Sequence, residues 1–282
     1  MSRLPYRLIA LDLDGTLVDF NLRFSPRVKR AITQVHQHGM AVTLATGRSP
    51  SSTRPFAEEL GIHVPLICYQ GGLIAQPDGR VLHRVALDKS LAAQVIGLAE
   101  SRGWHPTLYQ DGALYVSELR HPVDFYRGLL NPTAHCVPDL RALLDHDPDK
   151  IVIVAEGNGD EILAGLRERF DGQMQIVRSH DLFVETNPLG VDKGDGLAWL
   201  AGYLGAPRSQ VMAIGDQDND APMIAWAGLG VAMGNGSPAC RAVADWIAPS
   251  FEEDGAAVAI ERFVLNTLIP NPSPVPLGQG KE

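Results

Sequence analysis

The amino-acid sequence predicts an α/β fold in which a doubly wound, mostly parallel sheet is interrupted by an inserted α+β domain. Short apolar runs alternate with amphipathic helical stretches, which is typical of parallel strands connected by helices. This pattern changes after Gly71-Gly72 and returns at about Lys193, as expected if one domain is inserted into another. The length of 282 residues also favours about two domains.

The first segment of the predicted sheet combines strands with an amphipathic helix. The continuous apolar run 8–11 predicts a buried strand. A helix is predicted from Pro26, which suits the first helical position after Ser25, to Gly39. The next predicted elements are strands at 40–44 and 66–69 and a hairpin of 73–75 with 81–83.

The rest of the sequence predicts the elements of the insert, followed by further strands and helices of the first domain. The insert is predicted to contain helices at 87–102, 123–130 and 161–170 and strands at 107–109, 113–117, 151–155, 174–178 and 182–186. The first pattern returns with helices at 193–205, after Asn219 and at 255–268, and strands at 211–214 and 230–233. We therefore assign residues 1–83 and 187–270 to a Rossmann-like core and 84–186 to the insert. The Pro- and Gly-rich residues 271–282 are predicted to be a disordered tail.

The composition excludes several classes of protein. The 24 basic and 33 acidic residues give a net charge of −9, which argues against a broad surface for nucleic acid. Cys68, Cys136 and Cys240 lie far apart without CxxC spacing, so neither a disulfide framework nor structural zinc is indicated. No apolar run approaches the ~20 residues of a membrane span. We therefore expect a cytoplasmic protein without nucleic-acid or membrane partners, and no pattern sets its oligomeric state.

Residues suited to anion chemistry follow two of the predicted strands. Asp12 and Asp14 come directly after strand 8–11, at the edge where an open α/β sheet binds ligands. A surface turn explains this stretch equally well when it is taken alone. Thr46 and Gly47 follow strand 40–44 and offer a hydroxyl and an N–H group to an anion at a helix N-terminus. Taken alone, they fit an ordinary strand-to-helix loop better.

The most informative cluster is Asp216, Asp218 and Asp220, directly after strand 211–214. One of these acids can cap the following helix, but three together repel one another unless a cation neutralises them. Oxygen ligands of this kind suit Mg²⁺, which also bridges to phosphate. Lys193 is the first residue of a predicted helix, where its positive charge opposes the helix dipole. Either a nearby anion or contact with solvent explains a lysine at this position. A doubly wound sheet gathers these clusters at one edge, where phosphoryl transfer becomes possible.

These elements together resemble the motifs of the haloacid dehalogenase-like (HAD) superfamily of phosphohydrolases. The matching residues are Asp12-x-Asp14-Gly15-Thr16 for the first motif, Thr46 for the second, Lys193 for the third and Gly215-Asp216-x-x-Asn219-Asp220 for the fourth. The insertion between the second and third motifs resembles that of the Cof-type subgroup, which carries its cap (class IIB) there. The resemblance extends from about residue 8 to residue 263.

The resemblance implies a Mg²⁺-dependent phosphatase that works through an aspartyl-phosphate. Asp12 would be the nucleophile, and Asp14 would be the general acid and then the general base. The residues implied at the metal are Asp12, Asp14 (through its carbonyl), Asp216 and Asp220. The residues implied at the phosphoryl group are Thr46, Gly47, Lys193 and Asn219, and Arg48 is a candidate substrate contact.

The substrate is expected to be a small phosphorylated metabolite such as a sugar phosphate, and the insert is expected to close over it. Alternatives on the same fold are a phosphosugar-specific phosphatase, a phosphomutase, and a non-catalytic module that binds a phosphorylated ligand. The turn Gln70-Gly71-Gly72 departs from the Asn-Gly-Ala-like turn of the subgroup, so substrate contacts of the subgroup at this turn are not carried over.

Other interpretations leave the acidic clusters or the insert unexplained. The stretch Gly234-Asn235-Gly236-Ser237-Pro238-Ala239 fits a loose dinucleotide-binding pattern, although Pro238 suits the first position of a helix equally well. A receiver-type signalling module would be about half this length and would need no insert. Packing is the favoured role for the insert residues Tyr109, Tyr115, Arg178 and His180, which could also face a substrate.

Overall fold

A computed structural model of the protein describes residues 6–19, 21–126 and 134–268. Its strands are β1 (Leu8–Leu11), β2 (Ala41–Leu44), β3 (Leu66–Cys68), β4 (Leu73–Ala75), β5 (Val81–Arg84), β6 (His105–Gln110), β7 (Ala113–Val116), β8 (Ala134–Cys136), β9 (Lys150–Val154), β10 (Gln175–His180), β11 (Phe183–Asn187), β12 (Val211–Gly215), β13 (Leu229–Ala232) and β14 (Trp246–Ile247). Its helices are α1 (Pro26–Gln37), α2 (Pro50–Glu59), α3 (Lys89–Ser101), α4 (Val123–Phe125), α5 (Gly159–Phe170), α6 (Lys193–Tyr203), α7 (Ala221–Trp226), α8 (Pro238–Ala242), α9 (Gly255–Ile260) and α10 (Asn266–Leu268). The predicted tail lies outside the described residues.

The parallel sheet has the strand order β14-β13-β12-β1-β2, and β1 pairs with β12 on one side and with β2 on the other. Alternate residues of β1 point to opposite faces of the sheet. Ile9 and Leu11 join the apolar cluster formed with α1 and α9, whereas Leu8 and Ala10 join the cluster formed with α6 and α7. Helices therefore cover both faces, and the predicted doubly wound α/β fold is confirmed.

Helix α1 shows how the sequence specifies one of the covering helices. Ser25 caps the helix by accepting a hydrogen bond from the Val28 N–H group at 3.1 Å, and Pro26 occupies the first turn. Its buried residues are Val28, Ala31, Ile32 and Val35. Their spacing of three and four residues places them on one face, so the helix packs one apolar stripe against the sheet.

A small antiparallel sheet of β3, β4 and β5 extends the core beyond β2. A bridge between Ala45 and Ile67 joins β3 to the end of β2. The hairpin predicted at 73–75 and 81–83 is confirmed by the pairing of β4 with β5. β5 ends at Arg84, and the next helix in the chain is α3.

The insert contains its own sheet, with the order β10-β11-β9-β6-β7-β8, which we call the cap sheet. Its pairs are antiparallel except for the parallel pair of β7 with β8. Helices α3 and α5 cover one face, where Ile96 and Leu166 are buried. The other face carries Tyr109 and Val152, which belong to the same apolar cluster as Tyr69 of the core. The cap sheet therefore packs the face opposite α3 and α5 against the core.

Differences from the predicted elements are local. The sequence does not predict β8 and β14, because strands of three and two residues carry too little pattern. The helix predicted at 255–268 is divided into α9, a π-helical turn at Glu261–Leu265, and α10. Of the helix predicted at 123–130, α4 is described, and residues 127–133 lie outside the described part. The division at residues 83/84 and 186/187 stays a prediction.

Candidate active site

Three carboxylates meet where β1 and β12 end. Asp12 directly follows β1 and Asp216 directly follows β12, and these two strands are neighbours in the parallel sheet. Asp220 lies four residues further, just before α7. One carboxylate oxygen from each of the three lies within 4.8 Å of the others, and all three side chains are buried. We call this group the acidic cluster; it brings together three of the four residues predicted at the metal.

Lys193 provides the cation of the acidic cluster. It is the first residue of α6 and is 1% exposed. Its Nζ donates hydrogen bonds to Asp12 Oδ1 at 2.6 Å and to Asp220 Oδ1 at 2.5 Å. Burial lowers the pKa of Lys193, but the charges of the two carboxylates outweigh burial and raise its pKa above the usual range. The side chain is therefore an ammonium ion.

Asp220 and Asp216 are held by the turn between them. Asp220 Oδ2 accepts hydrogen bonds from the N–H groups of Asp216 and Gln217, each at 2.9 Å. Its other oxygen accepts from Lys193, so both oxygens of Asp220 have hydrogen-bond partners. Asp216 accepts from the Thr16 hydroxyl at 2.8 Å and from Gln217 Nε2 at 2.9 Å. The fourth motif is thus tied to the first through Thr16.

The acidic cluster carries more negative than positive charge. Burial raises the pKa of Asp12 well above its usual range, and Asp220 raises it further while Lys193 opposes the shift. Burial and then the Asp220 charge raise the pKa of Asp216 to about 6. Three carboxylates and one ammonium leave a formal charge of −2 that a divalent cation would neutralise. Oxygen-only donors are what hard cations prefer, so these residues fit a divalent metal ion.

Asp14 contacts Arg48 instead of the acidic cluster. Its two carboxylate oxygens accept hydrogen bonds from Arg48 Nε at 2.8 Å and from Arg48 Nη2 at 2.7 Å. The Arg48 guanidinium also lies 5.5 Å from the centre of the Phe56 ring. Gly15 has a φ of 86°, and a Cβ atom there would lie 2.6 Å from Asp216 Oδ2. A glycine therefore lets the turn that carries Asp14 pass close to the acidic cluster.

Thr46 and Gly47 offer hydrogen-bond donors at the end of β2. The Thr46 side chain is buried, and its Oγ1 accepts a hydrogen bond from the Arg48 N–H group at 3.2 Å. The hydroxyl hydrogen of Thr46 is left for a ligand. Among the described residues, the Gly47 N–H group has no hydrogen-bond partner. The contact of these two groups with phosphate stays a prediction.

Asn219 contacts Gln70 at the side of the acidic cluster. Asn219 Nδ2 donates to Gln70 Oε1 at 2.9 Å, and Gln70 Nε2 donates to Glu185 Oε1 of the cap sheet at 3.1 Å. The backbone of Gln70 is left-handed, with a φ of 59°. The predicted phosphate contact of Asn219 stays a prediction. The turn that departs from the subgroup pattern thus supplies a side chain that connects the core with the insert.

The sequence profile of the haloacid dehalogenase-like hydrolases matches residues 9–260, which include every site residue described above. The chain belongs to this family. No helix among the described residues has the length and hydropathy that crossing a membrane requires.

Similar proteins of this family include two from Bacillus subtilis (strain 168), both 5-amino-6-(5-phospho-D-ribitylamino)uracil phosphatases. YitU is 29% identical over 273 residues, which cover 93% of this chain and 99% of YitU. YcsE is 31% identical over 264 residues, which cover 92% and 96%. The crystal structure of a haloacid dehalogenase-like hydrolase from Bacteroides thetaiotaomicron matches with a TM-score of 0.80 and 30% identity, covering 91% of this chain and 99% of that one. The chain is accordingly a phosphatase of small phosphorylated metabolites.

A cavity of about 230 Å³ adjoins the acidic cluster of this hydrolase, between the core loops and α5 and β10 of the insert; we call it the polar cavity. Asn187 lies on its wall, is 1% exposed, and has no hydrogen-bond partner for either amide atom among the described residues. Gln175 Oε1, Arg178 Nε and Asn219 Oδ1 also lie on this wall and lack described partners. Buried polar atoms are rarely left unpaired, so the wall is suited to a polar ligand.

The stretch with a loose dinucleotide pattern supports the acidic cluster in the structure. Asn235 Nδ2 donates to the Gly15 carbonyl at 3.0 Å. The Ser237 N–H group donates to the Asp216 carbonyl at 2.7 Å. Ser237 then caps α8, with Pro238 as its first residue, so the helix-start interpretation is confirmed. The stretch holds the loops of the first and fourth motifs in place.

Sequence reasoning does not find two charged residues of the insert, Lys150 and Glu185. Both are buried in the cap sheet and contact the core. Their local signal is weak, since each is a single charged residue in a short apolar strand. Of the insert residues considered for substrate contact, Arg178 lines the polar cavity, whereas Tyr109 packs against Tyr69. Tyr115 stacks on His135, and the His180 side chain lies outside the described part.

Proposed function

We propose that this hydrolase is a Mg²⁺-dependent phosphatase that cleaves small phosphate monoesters through an aspartyl-phosphate on Asp12. One observation carries the proposal: Asp12, Asp216 and Asp220 converge within 4.8 Å, with Lys193 Nζ 2.6 Å from Asp12. This arrangement provides a carboxylate nucleophile together with charges that can balance a phosphoryl group. Phosphoryl transfer depends mainly on such positioning and electrostatic stabilisation.

Asp12 has one oxygen available for attack. Its Oδ1 accepts from Lys193, whereas its Oδ2 has no hydrogen-bond partner among the described residues. In the proposed reaction an Asp12 oxygen attacks phosphorus and the ester oxygen leaves, which forms an acyl phosphate. Water then attacks phosphorus, and the carboxylate and inorganic phosphate are released. Mg²⁺, held by Asp12, Asp216 and the Asp14 carbonyl and supported by Asp220, would neutralise the phosphoryl oxygens and keep Asp12 ionised.

Asp14 is the proposed general acid toward the leaving oxygen and then the general base toward water. Because both of its oxygens contact Arg48, Asp14 must exchange this contact for the leaving oxygen when a substrate is present. Its side chain is 48% exposed, so the exchange does not require unpacking of a core. Arg48 would then be available to contact the substrate.

The phosphoryl oxygens are proposed to contact the donors at the ends of β2 and at the start of α6. The Lys193 ammonium is fixed by its hydrogen bonds to Asp12 and Asp220. The Thr46 hydroxyl oxygen accepts from the Arg48 N–H group, and the Gly47 N–H group shares a peptide unit with the Thr46 carbonyl, which accepts from the Gln70 N–H group at 3.1 Å. Asn219 is proposed to orient this side of the site. Fixed donors of this kind stabilise the charge that develops in the transition state without costly reorganisation.

The leaving group is proposed to occupy the polar cavity, with residues 84–186 acting as a cap. Asn187 offers both a donor and an acceptor, and the charge of Arg178 is balanced by Asp160 at 2.7 Å. This wall suits a leaving group with hydroxyl or amide groups. The names of YitU and YcsE describe a substrate with a ribityl chain and a uracil ring, which is such a group. We propose sugar or polyol phosphates in the cytoplasm as the substrates.

The test is hydrolysis of p-nitrophenyl phosphate with Mg²⁺, with EDTA, and by the variant Asp12→Asn. We expect Mg²⁺-dependent release of phosphate and a loss of about 10⁴-fold or more in kcat for Asp12→Asn. Asp195→Asn is the matched control, because Asp195 is an exposed carboxylate on the same helix as Lys193. Full activity of Asp12→Asn would contradict the proposal.

Two further outcomes separate the alternatives on this fold. Tight binding of a phosphorylated ligand without turnover would identify a non-catalytic module. With a hexose phosphate as substrate, conversion to an isomeric phosphate without release of inorganic phosphate would identify a phosphomutase. Measurable rates with sugar phosphates alone would identify a phosphosugar-specific phosphatase.

A further inference from the structure

The cap sheet contains a buried ion pair that faces the core. Lys150 opens β9 and Glu185 lies in β11, and the two residues are 2% and 4% exposed. Lys150 Nζ donates a hydrogen bond to Glu185 Oε2. The ammonium also lies 5.2 Å from the ring centre of Tyr69 and 5.0 Å from that of Tyr109. Both charges are therefore removed from water at the boundary between the cap sheet and the core.

The remaining hydrogen bonds of this pair connect it to the loops of the active site. Lys150 Nζ donates to the Gly47 carbonyl at 2.8 Å. Glu185 Oε1 accepts from Gln70 Nε2 at 3.1 Å, and Gln70 Oε1 accepts from Asn219 at 2.9 Å. One continuous chain of hydrogen bonds thus runs from the second motif to the fourth motif, and two of its four side chains, Lys150 and Glu185, belong to the insert.

Stability alone does not account for a buried pair at this place. Taking two charges out of water costs free energy, and apolar residues of similar volume often stabilise a protein as well or better. A charged pair at a boundary between domains has another property: it can be solvated again when the boundary opens. An apolar contact in the same place would hold the boundary closed. The pair is therefore suited to a contact that forms and breaks during turnover.

The contact with the Gly47 carbonyl fixes the peptide unit between Gly47 and Arg48. Because Lys150 holds the Gly47 carbonyl, the next N–H group, that of Arg48, is directed to Thr46 Oγ1 at 3.2 Å. With this bond made, the Thr46 hydroxyl hydrogen points away from its own backbone and can be donated to a phosphoryl oxygen. Small errors in the placement of such groups are expensive in rate.

We infer that Lys150 and Glu185 are positioning residues for the phosphate-binding segment at residues 46–48, an inference that rests on the proposed function. Closure of the cap then has two effects: it covers the leaving group and it completes the phosphate site. Lys150 acts on the second motif through the Gly47 carbonyl. Glu185 acts on the fourth motif through Gln70 and Asn219. Even a substrate with no contact to the polar cavity depends on this pair.

The central test is the double variant Lys150→Met/Glu185→Met, which removes both charges and keeps the volume. We expect a folded protein whose kcat for p-nitrophenyl phosphate is about 10- to 100-fold lower, with KM changed by less than about 3-fold. The matched control is Arg141→Met/Glu100→Met, which removes a more exposed ion pair of the insert, at 3.1 Å, and should leave kcat unchanged. A folded double variant with the wild-type kcat would overturn the inference.

Two further variants keep the test decisive if the double variant does not fold. Gln70→Met keeps the length and backbone strain of Gln70 and both charges of the ion pair but removes the hydrogen bond to Glu185 and so breaks the chain, and we expect it to lower kcat by several-fold. Lys150→Arg retains a cation that can reach the Gly47 carbonyl, and we expect it to keep most of the activity. A wild-type kcat for Gln70→Met would contradict a positioning role. The same conclusion would follow if Lys150→Arg lost as much activity as Lys150→Met.

Hydrogen–deuterium exchange separates this inference from the proposed function. We expect the Arg48 amide to exchange at least about 10-fold faster in the double variant than in the wild type, while amides of β1 and β12 are unchanged. This readout does not require activity. Absence of hydrolysis by the wild type would refute the proposed function, whereas unchanged exchange at Arg48 would refute the positioning role.

Discussion

The acidic cluster and the polar cavity lie side by side, but they differ in how many of their polar groups have hydrogen-bond partners. In the acidic cluster, Lys193 contacts Asp12 and Asp220, and both oxygens of Asp220 accept hydrogen bonds. In the polar cavity, Asn187 is equally buried, yet neither of its amide atoms has a described partner. In one region the described residues hold the charged groups in place, whereas the wall of the other region has polar atoms available to a ligand.

This difference separates the chemistry of the hydrolase from its choice of substrate. The phosphoryl group is the same in every phosphate monoester, so a fixed arrangement of charges serves all substrates. Leaving groups differ, and a wall with unpaired donors and acceptors discriminates among them, because a leaving group that does not match leaves those atoms unpaired. Variants in the two regions should therefore have effects of different kinds.

Among the variants that compare these two regions, Lys193→Met should have the largest effect, because it removes the cation among three buried carboxylates. We expect the free energy of unfolding to fall by about 3–5 kcal/mol in metal-free buffer, as for other buried pairs that lose one partner. We expect kcat for p-nitrophenyl phosphate to fall about 10³-fold or more. Urea unfolding and steady-state kinetics measure the two effects.

The matched control for Lys193→Met is Lys29→Met, since Lys29 is a half-exposed lysine of α1 that pairs with Glu59. This control should change the free energy of unfolding by less than about 1 kcal/mol. Equal effects of the two substitutions would mean that the acidic cluster does not depend on its ammonium.

Asn187→Leu should separate specificity from chemistry and from stability. Since the substitution removes a buried, unpaired amide, we expect the free energy of unfolding to rise by about 1–3 kcal/mol. We expect kcat/KM for hydroxylated substrates such as sugar phosphates to fall about 10- to 100-fold, and that for p-nitrophenyl phosphate to change less than about 3-fold. Thermal unfolding and a substrate panel test both statements.

Gln94→Leu is the control for Asn187→Leu, because Gln94 is an exposed amide on α3, away from the polar cavity. It should alter neither the substrate preference nor, by more than about 0.5 kcal/mol, the stability. Equal losses of Asn187→Leu on all substrates would assign Asn187 to the fold and not to the leaving group.

The acidic cluster was predictable from the sequence because a parallel sheet has a simple geometry. Asp12 and Asp216 each follow an apolar run, and strands that run in parallel bring their final residues to one edge. The convergence of residues 204 positions apart therefore needs no knowledge of side-chain packing. Lys193 was a candidate for a different reason, because a lysine at the first position of a helix opposes the helix dipole.

The contacts across the boundary with the insert were not predictable in this way. Glu185 meets Gln70 across 115 positions of sequence, and Lys150 meets Gly47 across 103. No periodicity in the chain specifies how the cap sheet packs on the core. The pairing of Asp14 with Arg48 is also invisible, because a catalytic acid and a salt-bridged acid have the same sequence pattern.

Arg48→Lys should have the smallest effect, and one that depends on the leaving group. Lysine keeps the charge but cannot contact both oxygens of Asp14 or stack in the same way on Phe56. If Arg48 acts through Asp14, kcat for an alkyl phosphate, whose leaving oxygen needs a proton, should fall about 10-fold. For p-nitrophenyl phosphate, whose leaving group needs no proton, kcat should change less than about 3-fold.

The matched control is Arg54→Lys, since Arg54 is an exposed arginine of α2 that lies 3.6 Å from Glu58. This control should change the kcat for neither substrate. Equal losses with both substrates would instead place Arg48 on the phosphoryl group, which every substrate shares, and not on the proton transfer by Asp14.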